Sequence, residues 1–478
     1  MNILFVALEF PPLGGIPIRR PMGFARYLPE FGIEPIVVTS DESSLRRMFH
    51  TPIDKSGLDE IRPGLRIERI PCPPRSSYRD QSRLARFFRS FFSISGDPHG
   101  QTWRPHLERH LHALVKAHAP EAIYVCLPPF SMAPLWCELN KVLRLPLILD
   151  FRDAWSQLCV GPYWSRLHYQ AARRLERHCL TKAHRVICSS DQILEDFLAT
   201  HPGLQRQKFV TILNGIDRDI DAWPVVASGR APHELFIIGY VGSFYYIPAA
   251  RDGVFSPWWK KRPHHYFQFV PRKEDWLYRS PYFFFRATAA LLQGKPELRT
   301  RLKIRFAGAK PAWIDDQVKE FGLHDVVEFL GALSHDKALQ FQAECDALLV
   351  TSSKVIGGRD YSIAGKTFEY FQMQKPILAF VAEGAQKDIL VRSGLAVICD
   401  PDDVSDSVVK MADLVEGRSR LVPNQDFLRG LHRRELTRKL AEVILEARRE
   451  SPGQGRADEF LRGDSAPVSS TRTCGQVE

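Results

Sequence analysis

The sequence predicts an α/β protein built from two doubly wound, Rossmann-like halves. Three observations carry that prediction. At 478 residues the chain is too long for one ordinary core and suits two α/β domains plus an extra element. Short apolar runs recur along it, with helical patterns in the intervals. The alternation begins twice, once at Asn2 and again at Leu235.

The first cycle opens with Asn2–Leu8 (NILFVAL), a nearly continuous apolar run of the kind a parallel sheet buries on both faces. The loop Glu9–Gly15 follows, its paired prolines and glycines excluding helix and strand. Arg20–Phe31 reads as helix and Glu34–Thr39 as the second strand. Ala122–Cys126, Leu147–Phe151, Arg185–Cys188 and Val210–Leu213 read as later strands, with helices over Trp103–His118 and Trp164–Ala183. Asn214-Gly-Ile-Asp217 reads as a structural turn, and the turn-rich Trp223–His233 as a linker.

The second cycle opens with Leu235–Val241, ended by Gly242-Ser243. Later strands are predicted over Leu302–Ala307, Val326–Leu330, Ala347–Thr351, Pro376–Ala382 and Leu395–Cys399. Helices fall over Ile314–Phe321, His335–Ala343, Lys366–Met373 and Ala385–Ser393. The expected domains are residues 1–225 and 235–423, then a C-terminal helix over 424–449 and a polar, disordered tail over 450–478.

Two stretches break the pattern. Ser77–Phe92 places Leu84, Phe87, Phe88 and Phe91 at helical spacing with arginines between them. Residues 244–285 are long for a strand-to-helix connection and rich in Trp, Tyr, Lys and Arg, which marks an insertion. Either stretch has the composition to dock on an anionic inner leaflet; a core-facing amphipathic helix with a solvated basic face is the plainer alternative.

The net charge is +10, which suits anionic partners without choosing among them. No nucleic-acid-binding motif accompanies it, so no nucleic-acid partner is expected. Nine scattered cysteines without a CxxC pair fit reduced thiols in a cytoplasmic protein and carry no zinc signature. No apolar run reaches the roughly 20 residues of a membrane span, and the N-terminus reads as folded structure rather than a signal peptide.

Candidate chemistry sits at strand ends. Gly14 and Gly15 follow the first strand, where backbone amides approach a phosphate; an ordinary tight turn is the alternative. The sequence is not GxGxxG, which disfavours a nicotinamide or flavin site, and no cofactor is expected. Tyr361–Tyr370 (YSIAGKTFEY) leads a small-residue stretch into a helix near Lys366, an anion site suited to a diphosphate. Glu369 there either accepts ribose hydroxyls or merely favours the helix N-terminus. Asp150-Phe-Arg-Asp153 ends another strand, as a substrate-facing cluster or a local Arg–Asp ion pair. With no DxD at a strand end and no histidine cluster, no metal is expected.

Together FVALEFPPLGG, LILDFRDAWS, TILNGID, IGYVGS and IAGKTFEYFQMQKPIL resemble, in order and spacing over residues 1–445, the family 4 glycosyltransferases of the GT-B fold, in the branch of bacterial polysaccharide enzymes. The resemblance implies two Rossmann-like domains facing each other across a cleft. It implies transfer of a sugar from a nucleotide-sugar donor to a glycan or lipid-linked acceptor, with retention and without a metal, on the cytoplasmic side of the cell. On that pattern Ala364, Gly365 and Lys366 hold the diphosphate, Glu369 binds the ribose, and Gly14 and Gly15 reach the same phosphates. Arg152, Asp153 and Arg279 are the implied catalytic residues. The chain departs from the family at three points. Tyr361 stands where the first glutamate of Glu-x7-Glu is common. Arg152 stands where histidine is common. The insertion displaces the basic pair after the GYVG strand, with Arg279, Arg272, Lys273 and Lys260 as replacements. A sugar-nucleotide 2-epimerase and an inactive scaffold on the same fold are the alternative functions.

Overall fold

A computed structural model describes residues 1–49, 53–72, 97–157, 162–217, 235–261 and 266–451. The stretch Ser77–Phe92, the expected linker Trp223–His233 and the tail beyond Ser451 lie outside the described residues. The chain divides into two compact units. One comprises Met1–Asp150, Arg177–Val186 and the residues from Leu440 on; the other comprises Phe151–Glu176 and Ile187–Lys439.

The first sheet has seven strands in the order β3-β2-β1-β4-β5-β6-β7. They are β1 (Asn2–Val6), β2 (Glu34–Thr39), β3 (Arg66–Arg69), β4 (Ala122–Leu127), β5 (Leu147–Phe151), β6 (Arg185–Cys188) and β7 (Phe209–Thr211). β1 pairs in parallel with β2 on one side and β4 on the other, placing Leu4 opposite both Ile36 and Ile123. The strand order therefore reverses between β1 and β4, the kind of position at which doubly wound sheets bind ligands. β1, β4 and β5 are almost wholly buried, as continuous apolar runs require.

The second sheet has six strands in the order β11-β10-β8-β12-β14-β15. They are β8 (Phe236–Val241), β10 (Leu302–Ala307), β11 (Val327–Gly331), β12 (Ala347–Thr351), β14 (Ile377–Phe380) and β15 (Ala396–Cys399). All neighbours pair in parallel, and here the order reverses between β8 and β12. A separate antiparallel pair joins β9 (Glu274–Asp275) to β13 (Lys354–Val355).

The insertion holds a helix over Pro248–Phe255, a short turn over Trp258–Lys260, and β9. Its expected end shifts. Tyr282–Phe285 is the first turn of a helix over Tyr282–Gly294, and Phe283, Phe284 and Phe285 are core residues packed with Ile304, Phe306 and Phe380. The run is dense in aromatics because it covers a sheet face, not because it belongs to a surface loop. Sequence reading misses β3, whose RIER has a single apolar residue and pairs at the sheet edge; the intervals between the later strands hold further helices over Met132–Leu143 and Asp191–Thr200.

The turn Asn214–Asp217 is structural, as its sequence suggests. Ile216 exchanges backbone hydrogen bonds with Leu431 and Arg433, beside the start of the helix Arg433–Glu450. A Cβ on Gly215 would fall 2.7 Å from the Arg433 side chain.

Asp150 pairs with Arg20. Its carboxylate is buried and accepts two hydrogen bonds from Arg20, from Nε at 2.8 Å and Nη2 at 2.9 Å. The Tyr124 hydroxyl donates to the same carboxylate. Replacing Asp150 by Ala strands a buried guanidinium. The expected loss is about 3–5 kcal/mol, most of it recovered in Asp150→Ala/Arg20→Met. Thermal unfolding of the two variants checks this; equal losses in both would mean the charge is not what the site depends on.

Candidate donor site

The candidate site grows from strand ends of the second sheet. β8 gives way to Gly242, whose φ of +106° favours glycine. A Cβ there would stand 3.3 Å from the Lys366 Nζ. Lys366 is the second residue of the helix Gly365–Met373, and its Nζ lies 3.5 Å from the centre of the Tyr240 ring. The residue is half-buried, but its ammonium is held against the ring, away from water. That desolvation pushes its pKa from 10.5 down to about 7, with Glu369 pulling it back up.

Ala364 occupies the N-cap, and its N–H donates to Gln386 Oε1 at 2.7 Å. Thr367 N–H turns back to the Ala364 carbonyl at 3.0 Å. Among the described residues the amides of Gly365 and Lys366 have no partner. They are amides that a helix start leaves over, and with the helix dipole they suit an anion. Glu369 stands one turn further on and is half-buried. Tyr370 ties the helix to the sheet, its hydroxyl accepting the Val241 N–H at 3.0 Å.

Arg279 comes from the end of the insertion. Its Nη2 donates to Ser362 Oγ at 2.9 Å and to Glu274 Oε1 at 3.2 Å, and its carbonyl accepts from Thr351 Oγ1 at 2.9 Å, at the end of β12. Burial lowers the pKa of its guanidinium, but Asp360 and Glu274 outweigh that and hold it raised. Arg279 and Lys366 share a neighbour. Tyr240, under the lysine, has its hydroxyl pKa pushed well up by burial, and the Arg279 charge pulls it down. The structure thus gathers Lys366, Arg279, Ser362 and Glu369 around the reversal between β8 and β12. Of the other basic candidates, Arg272 lies 4.8 Å from the Tyr361 ring, and Lys273 and Lys260 are exposed.

Arg152 and Asp153 follow β5, in the same compact unit as Arg279. The Arg152 carbonyl accepts from Ser189 Oγ at 2.7 Å, and the Asp153 charge contributes to the raised pKa of Arg279. Their loop is held by a network that sequence reading misses. Buried Glu176 accepts from Ser156 N–H at 2.7 Å and Oγ at 2.6 Å, and lies 2.6 Å from His201 Nε2. No motif links these residues, which are 20 and 25 positions apart.

Gly14 and Gly15 belong to the first unit. Gly15 adopts a φ of +85°, and a Cβ there would meet nothing nearer than Pro17 Cδ at 3.6 Å, so the backbone conformation rather than space calls for glycine. Arg69 Nη2 fixes the preceding loop through the Pro11 carbonyl at 2.8 Å. Among the described residues no group of three or more His, Cys, Asp or Glu could hold a metal ion. No helix among them is long and apolar enough to cross a membrane.

Residues 17–215 match a family model described as a glycosyl transferase 4-like domain. No curated protein matches the chain in sequence. Several solved structures share its fold. The lipopolysaccharide outer core galactosyltransferase WaaB is 14% identical with a TM-score of 0.54, over 93% of this chain and 99% of that one. Sucrose-phosphate synthase from Thermosynechococcus elongatus is 15% identical with a TM-score of 0.53, over 97% and 100%. HepE from Anabaena, solved with UDP, is 15% identical with a TM-score of 0.50, over 94% and 98%. At such identities the likeness is one of fold: the chain has the GT-B fold, and its residues 17–215 match the model of a glycosyl transferase 4-like domain.

Proposed function

We propose that this protein is a glycosyltransferase that moves a sugar from a nucleotide-sugar donor to a glycan or lipid-linked acceptor in cell-surface polysaccharide synthesis. The observation that carries the reading is the anion cradle of the second sheet: the amides of Gly365 and Lys366, the desolvated Lys366 ammonium and the Arg279 guanidinium. Charge accumulates on the leaving diphosphate as the glycosidic bond to it breaks. Fixed amides and cations at that point lower the barrier, because they need no reorganisation when the charge appears. In this reading Glu369 accepts the ribose hydroxyls, and Arg152 and Asp153 lie toward the transferred sugar. Retention at the anomeric carbon and turnover without a metal belong to the same proposal.

HepE, similar in fold, was solved with UDP, so uridine is the first base to try. Calorimetry against UDP, GDP and ADP is expected to find one nucleotide bound, and Glu369→Ala to weaken it at least about tenfold, the cost of losing hydrogen bonds to a charged acceptor. Binding of none would leave a scaffold with the same fold.

Lys366 gives a second prediction, on pH. Its pKa of about 7 in the free protein rises when a diphosphate arrives, because the anion favours the ammonium. The lysine's contribution is therefore fully present below about pH 7 and lost as pH rises through the bound-state pKa. Between pH 7.5 and 9 affinity is expected to fall by up to about tenfold per pH unit, with net proton uptake on binding. Titration in buffers of different ionisation enthalpy measures that uptake. It should vanish in Lys366→Met; an uptake that persists in this variant would assign the proton elsewhere.

A further inference from the structure

The insertion after β8 separates its charges by direction. Its carboxylates Glu274 and Asp275 are buried and held in ion pairs, Glu274 by Arg279 at 3.2 Å and Asp275 by Arg251 at 2.7 Å. Its lysines meet water: Lys260 and Lys273 are exposed and Lys261 is half-buried. Asp252 is the one exposed carboxylate among the described residues of the stretch. The same short stretch carries large apolar side chains in water. Phe267 is 80% exposed, Tyr245 68% and Trp259 65%, with Ile247 and Tyr266 exposed beside them in sequence. The aromatic run that could have been expected among them, Tyr282–Phe285, lies in the core instead, so the exposed set is not an extension of the hydrophobic interior.

We propose that these exposed side chains of the insertion dock the protein on an anionic lipid surface. Exposed Trp, Tyr and Phe with lysines beside them match an interface where rings enter the headgroup boundary and ammoniums meet lipid phosphates. The inward pairing of Glu274 and Asp275 removes the charges that such a surface would repel. Ile247 favours lipid over single-stranded nucleic acid, because an aliphatic side chain gains from an apolar phase but has no ring to stack on a base. Docking there is independent of the donor reading, and would bring a soluble catalyst to an acceptor that lies in a membrane.

The test is co-sedimentation of the full chain with phosphatidylglycerol–phosphatidylcholine vesicles and with pure phosphatidylcholine vesicles. The wild-type chain is expected to pellet with the anionic vesicles and to be released by salt. Trp259→Ser/Phe267→Ser should lower partitioning at least about tenfold, since two buried rings are lost. Lys260→Glu/Lys273→Glu should lower it by about fivefold or more per lysine. The second variant changes only exposed charges, and a melting transition like the wild type's shows that its fold is kept. No pelleting of the wild type, or equal pelleting of both variants, overturns the proposal. So does a single-stranded oligonucleotide that binds more tightly than the vesicles and is lost with the same substitutions. Nucleotide calorimetry on the same variants reads the donor site separately: its failure would leave the vesicle result standing, and the reverse holds too.

Discussion

The first sheet is organised around a buried charge. Asp150 ends β5 with its carboxylate out of water, and an isolated carboxylate there would be intolerable. Arg20 answers it with two parallel hydrogen bonds, and Tyr124 adds a third from β4. The pair is more than a neutralisation. It ties the helix that follows the Gly14-Gly15 loop to the carboxyl end of β5, while Arg69 holds the loop's proline stretch. A fork of two fixed bonds sets both position and angle, which a hydrophobic contact of the same area would leave looser. The place where amides are presented at the sheet edge is thus fixed by a polar contact rather than by packing alone.

The second sheet meets a different problem, two basic side chains drawn partly out of water. Lys366 carries the cost. Its ammonium is held at the Tyr240 ring, and desolvation brings its pKa to about 7, so near neutrality the free protein tolerates the lysine partly by discharging it. Arg279 cannot discharge, and the structure gives it carboxylate neighbours instead, with Glu274 bonded directly and Asp360 reached through Ser362. Burial thus pulls the Lys366 pKa down, while carboxylate neighbours hold the Arg279 guanidinium charged.

Legibility in the sequence follows from the range of the interactions. Glu34–Thr39 and Leu147–Phe151 were visible because a buried parallel strand is largely apolar, and Leu302–Ala307 because its apolar residues alternate with Lys303 and Arg305. β3 was not, because an edge strand with one neighbour needs no such run. The helix start at Lys366 was legible from its small residues and following glutamate. Arg20 with Asp150, 130 residues apart, and Glu176 with Ser156 and His201 left no local trace, since a buried ion pair constrains only the fold that brings its members together. The aromatic run Tyr282–Phe285 misled for the same reason: composition alone does not say whether a phenylalanine faces a sheet or water.

The position of Tyr361 brings these strands of argument together. A glutamate is common there in the family that the motifs resemble; here the side chain is a buried tyrosine with the Arg272 guanidinium 4.8 Å from its ring. The neighbouring Asp360 does not stand in for the missing acid. Its carboxylate accepts from Ser353 Oγ at 2.7 Å and from Ser362 N–H at 3.0 Å, and it helps hold Arg279 charged. The acid of this loop is therefore spent inward, on backbone and cation geometry, and Glu369 is the carboxylate that remains beside Lys366. Swapping an outward acid for an inward one shifts the balance of the site toward positive charge.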